Sequence, residues 1–380
     1  MTVGKQDVLA SLAGIATPEG APLPESGRLS TIVITDGKVF FSIRAEASAL
    51  PQWEPVRKAA EAAVRALPGV ASVMVVLTGE RAGGASAGGQ PPRGAPPPGA
   101  HGGHRAPPPR GTRAVPGVKS IIAVASGKGG VGKSTTAVNL ALALATLGLK
   151  VGLLDADIYG PSVPKLLAVR ERPETLGGTR LKPIMRFGLA VMSIGFLIEE
   201  ETPMIWRGPM VMSALTQMLR EVEWGELDVM VVDMPPGTGD AQLTMAQQVP
   251  LAGSVIVSTP QDLALIDARR GIAMFKRVDV PVLGVVENMS YFLCPHCGQR
   301  SDIFGHGGAK HEAERLGVPF LGAVPLDMTI RETSDAGRPI VATDPDSPHA
   351  AAYRAIAESV WAGVNDRAAA RPAPRIVIES

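Results

Sequence analysis

Cysteine is scarce in this sequence. Only two of its 380 residues are cysteines, Cys294 and Cys297. They lie too close together for a disulfide that closes a long loop, the kind of staple on which small secreted proteins depend. The N-terminus also lacks a basic segment followed by an apolar core, which is the pattern of a secretory signal. The sequence therefore predicts a cytoplasmic protein with reduced thiols.

An excess of charge of one sign and long hydrophobic runs are missing as well. The chain has 37 Lys and Arg residues against 36 Asp and Glu, for a net charge of +1. This balance argues against an electrostatic attraction of the whole chain to nucleic acid or anionic lipid. Glycines and charges interrupt every apolar stretch before about 18 residues, the length that a membrane-spanning helix requires. We expect neither a nucleic acid nor a membrane as a partner.

Apolar patterning and composition divide the chain into four parts. Residues 1–78 predict a small α+β domain with the order helix, strand, strand, helix, strand. Residues 79–117 are dominated by Gly, Pro, Ala and Arg, which cannot bury a core, and so predict a disordered linker. A larger domain is expected at 118–366, followed by a tail at 367–380 whose prolines break any helix.

The larger domain shows short, nearly continuous apolar runs that alternate with segments of helical spacing. Such runs are typical of parallel strands buried on both faces. The sequence therefore predicts an α/β fold in which a mostly parallel sheet is flanked by helices. The predicted strands are 121–125, 151–154, 189–194, 229–232, 255–257 and 282–286, and the main predicted helices are 135–147, 211–222, 263–278 and 350–364.

A glycine-rich run lies between the first predicted strand and the first predicted helix of this domain, which is the context of a P-loop. The glycines let several backbone N–H groups converge on phosphates, and the helix dipole adds to the attraction. We expect Lys133 to contact the β- and γ-phosphates of ATP, Ser134 to bind Mg²⁺, and Thr135 to lie near the α-phosphate. The predicted nucleotide-binding residues of the loop are Gly127, Lys128, Gly129, Gly130, Val131, Gly132, Lys133, Ser134 and Thr135.

The loop contains a second lysine, Lys128, that nucleotide binding does not require. One interpretation is that it stabilises phosphoryl charge in a neighbouring subunit, as an arginine finger does. The other is a solvated surface lysine.

Acidic residues follow two further strands at the sheet edge where ligands bind in such folds. Asp155 and Asp157 come after one strand, and Asp233 ends another in the position of a Walker B acid. One of the first two could orient the attacking water, and the other could support Mg²⁺ through a water molecule. The loop at 235–240 could sense the γ-phosphate. Each aspartate could instead simply cap a turn.

Cys294 and Cys297 form a C-x-x-C pair that can turn two sulfurs toward one metal centre. Two thiolates complete neither a tetrahedral zinc site nor the ligand set of a cubane cluster. Histidines of the same chain could complete a zinc site, the candidates being His296, His306 and His311. A second chain could instead supply an identical pair across a two-fold axis. The residues leave both possibilities open, and a redox dithiol is a further alternative.

Taken together, the motifs resemble those of the Mrp/ApbC family of iron–sulfur cluster carriers, which belongs to the SIMIBI class of P-loop ATPases with a deviant Walker A motif. The resemblance covers residues from about 118 to 364. It rests on GKGGVGKST at 127–135, DADIYGPS at 155–162, RGP at 207–209, DMPPGTGD at 233–240, ENMS at 287–290 and CPHC at 294–297.

The resemblance implies a homodimer that hydrolyses ATP, holds a [4Fe–4S] cluster between two Cys294/Cys297 pairs and passes it to apo iron–sulfur proteins. It further implies that Lys128 acts in the active site of the partner subunit. Asp157 is then the water-orienting acid, and Asn288 contacts adenine.

The first domain is similar to the small metal–sulfur cluster assembly domain that often precedes this ATPase. Thr17 stands where that family usually has an aspartate, and no cysteine precedes Cys294. We therefore expect this domain to dock partners such as cluster-assembly factors rather than to bind metal. Three other functions are compatible with parts of the pattern: a MinD- or ParA-like positioning ATPase, a reductase of the nitrogenase iron protein type, and a dimeric ATPase with a structural zinc knuckle.

Overall fold

The computed structural model describes residues 3–80 except 31, 36, 47, 48 and 71, and then residues 114–176, 180–197 and 208–370. Most of the predicted linker at 79–117 lies outside the described residues. Arg207 of the RGP motif and residues 371–380 of the predicted tail lie outside them too.

The small N-terminal domain has its own hydrophobic core, in which Phe41 and Trp53 are almost completely buried. Its elements follow the predicted order of helix, strand, strand, helix, strand. The first two strands pair antiparallel, and the third is parallel to the second. The elements are α1 (Lys5–Leu12), β1 (Val33–Thr35), β2 (Lys38–Glu46), α2 (Leu50–Arg65) and β3 (Ser72–Glu80), with a short 3-10 turn at Leu23–Ser26.

The larger domain is built on an eight-stranded sheet. Its strands are β4 (Val118–Ala125), β5 (Val151–Asp155), β8 (Ile184–Arg186), β9 (Leu189–Ser193), β10 (Leu227–Asp233), β11 (Gly253–Ser258), β12 (Val282–Glu287) and β15 (Phe320–Ala323). Two short hairpins lie outside the sheet, β6 (Thr175–Leu176) with β7 (Arg180–Leu181), and β13 (Phe292–Leu293) with β14 (Arg300–Ser301). The strand order in the sheet is β15-β12-β11-β4-β10-β5-β9-β8.

Helices cover the sheet. They are α3 (Lys133–Thr146), α4 (Val163–Leu166), α5 (Gly208–Arg220), α6 (Asp240–Gln248), α7 (Asp262–Arg277), α8 (Gly308–Leu316), α9 (Met328–Asp335), α10 (Ile340–Thr343) and α11 (Pro348–Ala370). Helix α3 is buried along most of its length because it packs against both the sheet and α11. Among the described residues, no helix is at once long and apolar enough to cross a lipid bilayer.

The predicted α/β fold is confirmed, and all six predicted strands are present and run parallel to one another. Strand β8 is the antiparallel exception, and it lies at one edge of the sheet. The sequence pattern missed both edge strands, β8 and β15, because they are short and only partly buried. Helix α11 continues through Ala370, past residue 367, where the tail is predicted to begin.

The two domains touch along α5. The side-chain amide of Gln217 donates a hydrogen bond of 2.9 Å to the carbonyl of Val75 in β3. At the end of α5, the carboxylate of Glu221 pairs with the guanidinium of Arg57 in α2 at 2.6 Å. Arg57 is almost fully buried and also pairs with Glu54 and Glu61 of its own helix. The small domain is thereby attached through a hydrogen bond and through a cluster of charges around the buried Arg57.

Candidate nucleotide site and cysteine knuckle

The P-loop connects β4 to α3 and is fixed in place on two sides. Gly132 caps α3 with a left-handed backbone, at φ 79°, which favours glycine. A Cβ atom on Gly132 would lie 2.1 Å from the amide nitrogen of Asn288, and one on Gly127 would lie 2.2 Å from the backbone of Asp267 in α7. The glycines of the loop therefore allow close packing against its neighbours as well as the turn itself.

Lys133 is the first residue of α3, and its amine points to the floor of the site. The Nζ atom lies 2.6 Å from Oδ1 of Asp233 and 3.9 Å from Oδ2 of Asp157. It also lies 3.2 Å from the hydroxyl of Ser134. The side chain is only 6% exposed. Site residues predicted from three separate motifs therefore lie around one ammonium group. These residues are Ser134 of the P-loop, Asp157 after β5 and Asp233 at the end of β10.

Asp233 ends β10 and is completely buried. Its Oδ2 atom has no hydrogen-bond partner among the described residues, although a buried carboxylate oxygen normally has one. This oxygen and the Ser134 hydroxyl are hard ligands of the type that Mg²⁺ prefers, directly or through bound water. The donor set of the site therefore fits Mg²⁺.

Asp155 organises the loop that follows β5. Its carboxylate accepts hydrogen bonds from the backbone N–H groups of Asp157 and Val163, both at 3.1 Å, and from the hydroxyl of Ser193 at 3.0 Å. Burial raises the pKa of Asp155 to about 7, and the negative charge of Asp233 adds to the rise. Because both of its oxygens already accept hydrogen bonds, Asp155 supports the site from behind.

Asp157 is the aspartate of this loop that faces Lys133. Burial raises the pKa of Asp157, and the positive charge of Lys133 acts in the opposite direction. Its side chain is 11% exposed, so water can still approach it. A partly accessible carboxylate with a raised pKa is suited to orienting a water molecule or accepting its proton.

Lys128 lies half-buried near the start of the P-loop, and its carbonyl accepts a hydrogen bond of 2.8 Å from the Ser126 hydroxyl. Within the described part of the chain, its ammonium group forms no ion pair, in contrast to that of Lys133. Gly129 and Gly130 next to it are exposed, whereas Ser134 and Thr135 are half-buried.

The loop after β10 lies against the P-loop. The N–H of Gly237 donates to the carbonyl of Ser126 at 2.9 Å. The side chain of Gln242, in the first turn of α6, donates to the carbonyl of Pro236 at 2.5 Å. The segment predicted to sense the γ-phosphate is therefore in direct contact with the P-loop.

Asn288 follows β12 and supports the P-loop from the other side. Its amide nitrogen donates to the carbonyl of Val131 at 2.9 Å, and its backbone N–H donates to the carbonyl of Ser258 at 2.8 Å. The predicted contact of Asn288 with adenine stays a prediction. In the structure, the side-chain amide nitrogen of Asn288 is hydrogen-bonded to the P-loop instead. Sequence reasoning assigned no role to Ser193 or to Glu287, although Glu287 is only 1% exposed. The position of Glu287, a charged residue at the end of an apolar strand, could have indicated that it has a role.

The cysteine knuckle forms the turn that connects β13 to β14. The N–H of Cys294 donates to the carbonyl of Gln299 at 3.0 Å, and the N–H of Gly298 donates back to the carbonyl of Cys294 at 2.8 Å. Cys294 is half-exposed and Cys297 is exposed. Hydrogen bonds from the backbone N–H groups of His296 and Cys297, followed by the Cys297 thiol, lower the pKa of Cys294. This favours the thiolate, the form that binds metal.

No third metal ligand joins the two cysteines in the described residues, where no group of three or more His, Cys, Asp or Glu side chains could hold a metal ion. His306 instead lies 3.3 Å from Asp302 and 3.1 Å from Arg300. Arg300 in turn stacks over the ring of Tyr291, 4.4 Å from its centroid. The histidines near the knuckle therefore do not complete a zinc site with the two thiols in the described structure.

Comparison with known proteins gives one consistent answer. The family described as NUBPL iron-transfer P-loop NTPase matches residues 117–361, and the family described as iron-sulfur cluster assembly protein matches residues 5–75. The iron-sulfur cluster transfer protein NUBPL of Dictyostelium discoideum is 56% identical over 263 residues, which cover 68% of this chain and 81% of that protein. The iron-sulfur cluster carrier protein of Escherichia coli K12 is 58% identical over 247 residues, covering 65% of this chain and 67% of that protein.

A solved structure agrees with these relatives. The nucleotide-binding protein of Archaeoglobus fulgidus, in complex with ADP and with cobalt, is 40% identical, with a TM-score of 0.54 over 61% of this chain and 90% of that one. The P-loop, the three aspartates and the cysteine knuckle all lie within the matched part of the chain. The chain therefore belongs to the family of NUBPL iron-transfer P-loop NTPases.

Proposed function

We propose that this protein is an ATP-hydrolysing carrier of iron–sulfur clusters. Two copies hold a [4Fe–4S] cluster between their Cys294/Cys297 pairs and pass it to apo iron–sulfur proteins. The observation that carries this proposal is the knuckle itself, which presents two accessible thiols with no third metal ligand beside them in the described residues. The names of the relatives from Dictyostelium discoideum and Escherichia coli, a cluster transfer protein and a cluster carrier protein, support it.

The count of thiols argues for two subunits. A cubane cluster takes four thiolate ligands, one on each iron, and the chain has two cysteines in all. A two-fold axis that passes beside the knuckle supplies the other two from an identical pair. The exposed position of the hairpin permits this approach without unfolding either subunit. The lowered pKa of Cys294 favours the charged sulfur that such a cluster requires.

ATP would enter a site in which the ammonium group of Lys133 pairs with the buried carboxylate of Asp233. When phosphates occupy the loop, the ammonium group of Lys133 would turn to the β- and γ-oxygens. Ser134 and Asp233 would hold Mg²⁺, which would neutralise phosphate charge. Asp157 orients the attacking water. Lys128 reaches the γ-phosphate of the partner subunit's site, and its lack of an ion pair in the described residues leaves it available for this role.

The proposal is tested by anaerobic purification followed by iron and zinc analysis, visible absorption and measurement of mass in solution. We expect a brown dimer with about four irons per two chains. Cys294→Ala should lose the iron and the visible absorption while keeping its thermal unfolding temperature, because the hairpin lies outside both cores. His296→Ala in the same knuckle is the matched control and should keep its iron.

Two outcomes would contradict the proposal. A strictly monomeric protein that carries its full complement of metal, with and without nucleotide, would exclude sharing between subunits. Zinc in place of iron, lost in His296→Ala, would instead identify a structural zinc knuckle.

A further inference from the structure

Glu287 is a buried carboxylate that the proposed reaction does not use. It is the last residue of β12, and it is 1% exposed. Its Oε1 atom accepts a hydrogen bond of 2.5 Å from the hydroxyl of Ser290, and its Oε2 atom accepts one of 2.6 Å from the backbone N–H of Ala309. Hydrogen bonds to a buried carboxylate are short and strong, and losing one leaves an unsatisfied group in the interior.

The two donors stand at the two ends of the segment that carries the cysteines. Ser290 directly precedes residues 291–307, which contain the hairpin and its knuckle, and Ala309 lies in the first turn of α8, directly after them. A single carboxylate therefore closes the base of the whole segment. Backbone hydrogen bonds also hold the start of the segment. The N–H of Ser290 donates to the carbonyl of Val324 at 2.9 Å, and the N–H of Leu326 donates to the carbonyl of Tyr291 at 2.7 Å.

On its other side, Glu287 is joined to the P-loop through the next residue. Asn288 donates to the carbonyl of Val131 and touches Gly132 so closely that no Cβ atom would fit between them. The turn then passes through Met289, a residue with a left-handed backbone at φ 55°. This conformation is strained for a side chain other than glycine. The Ser290–Glu287 hydrogen bond spans this turn and holds it in shape.

We propose that Glu287 is a positioning residue that transmits nucleotide occupancy of the P-loop to the cysteine knuckle. This inference rests on the proposed function, and it specifies which side chain joins the two sites. Phosphate binding shifts Val131 and Gly132. This shift displaces Asn288, because the side chain of Asn288 is in direct contact with both residues. Because the interior is close-packed, Glu287 moves with Asn288 and carries both ends of the segment 291–307.

The test uses the thiols as reporters, without any cluster. Cys294 and Cys297 are the only cysteines of the chain, so the rate of alkylation by iodoacetamide in the reduced, metal-free protein reports on the knuckle alone. In the wild type, we expect ATP with Mg²⁺ to change this rate by about fivefold or more, the lower range of typical coupling between sites.

Glu287→Met should bind nucleotide as the wild type does but lose the effect of nucleotide on alkylation. Methionine keeps the length of the side chain but has neither carboxylate oxygen, so the Ser290 hydroxyl and the N–H of Ala309 both lose their acceptor. Glu312→Met is the matched control. It lies on the same helix, α8, but its carboxylate pairs with Arg269 and Arg315 near the surface, so it should respond like the wild type.

If circular dichroism shows that Glu287→Met does not fold, Ser290→Ala decides, because it removes a single donor and should reduce the response to nucleotide. If the folded Glu287 variant shows the full response to nucleotide, Glu287 does not have this role. If the Glu287 variant does not fold, a full response in Ser290→Ala leads to the same conclusion. Either result would leave the proposed function standing. Thiols that ignore nucleotide in the wild type would overturn the coupling of ATP to the knuckle, and the role of Glu287 with it.

Discussion

The ammonium group of Lys133 and the carboxylate of Asp233 form a buried ion pair at 2.6 Å on the floor of the P-loop. Lys133 comes from the first turn of α3 and Asp233 from the end of β10, 100 residues apart. The pair ties α3 to the centre of the sheet. Each partner is buried, so each depends on the other for its charge to be tolerated.

Lys133→Ala should therefore do two things. It should abolish nucleotide binding, and it should also destabilise the nucleotide-free protein by about 3 kcal/mol, because Asp233 is left charged and unpaired in the interior. Urea unfolding and binding of a fluorescent ATP analogue measure the two effects. The double variant Lys133→Ala/Asp233→Asn should regain stability without regaining nucleotide binding. Equal stability of the single and double variants would show that the pair contributes little.

The proposed role of Lys128 in the partner subunit predicts complementation. Lys128→Ala and Lys133→Ala should each lose ATP hydrolysis when alone. In a mixed dimer, the Lys128→Ala subunit binds ATP and receives the intact Lys128 of the other subunit. An equal mixture should thus recover about a quarter of wild-type activity under random pairing. If Lys128 acted within its own subunit, the mixture would remain inactive, whatever the pairing.

Gly132→Ala should disturb the P-loop through Asn288. The left-handed backbone alone costs an alanine about 1–2 kcal/mol, and the new Cβ atom would lie 2.1 Å from the Asn288 amide. We expect nucleotide binding to be lost. Gly148→Ala is a suitable control, since Gly148 also has a positive φ, 85°, but open space around it. Isothermal titration with ADP should show normal binding in that variant and partial recovery in Gly132→Ala/Asn288→Ala.

Between the domains, Glu221 should make stability depend on pH in an unexpected direction. Burial raises the pKa of Glu221 to about 6 from its usual 4.5, and Glu61 and Glu54 add to the rise, while Arg57 lowers it. A carboxyl group whose pKa is higher in the folded state stabilises the protein fully below its unfolded pKa. That contribution is lost as pH rises through about 6, and the shift sets an upper limit of about 2 kcal/mol.

Glu221→Gln mimics the protonated form. Its free energy of unfolding relative to wild type should therefore increase between pH 5 and pH 7.5, as followed by urea titration at each pH. Glu223→Gln is the control, because Glu223 is 42% exposed and pairs with Arg180 at the surface. A Glu221→Gln variant that is less stable than wild type only at pH 7.5 would mean that attraction to Arg57 outweighs burial.

The centre of the sheet could be predicted because its strands are buried on both faces, which leaves continuous apolar runs in the sequence. Strands β8 and β15 have an open side and carry no such signal. The P-loop could be recognised because its glycines and Lys133 are chemically required and adjacent in sequence. The partners of Asp155 could not, since Ser193 follows it by 38 residues and joins it only through sheet pairing.

The same reason hid the environment of Glu287. Its motif, ENMS, marks the end of a strand, but nothing in those letters shows that an N–H group 22 residues further along the chain closes onto its carboxylate. The sequence also does not indicate that α5 lies beside β3. An amphipathic or apolar pattern shows that an element has a buried face, but it does not identify the element that covers this face. Functional residues that lie close together in the sequence could be predicted from it. Contacts between residues from distant segments became visible only in the folded structure.

The metal-type knuckle of this protein projects on two strands of two residues each, apart from both hydrophobic cores. In small zinc domains, by contrast, removing the ion unfolds the chain, because ligation and folding are one equilibrium. Here neither core includes the hairpin, so we expect the fold to persist whether or not the thiols hold metal. Under the proposed function, cargo can then be taken up and released repeatedly by a scaffold whose stability does not depend on it.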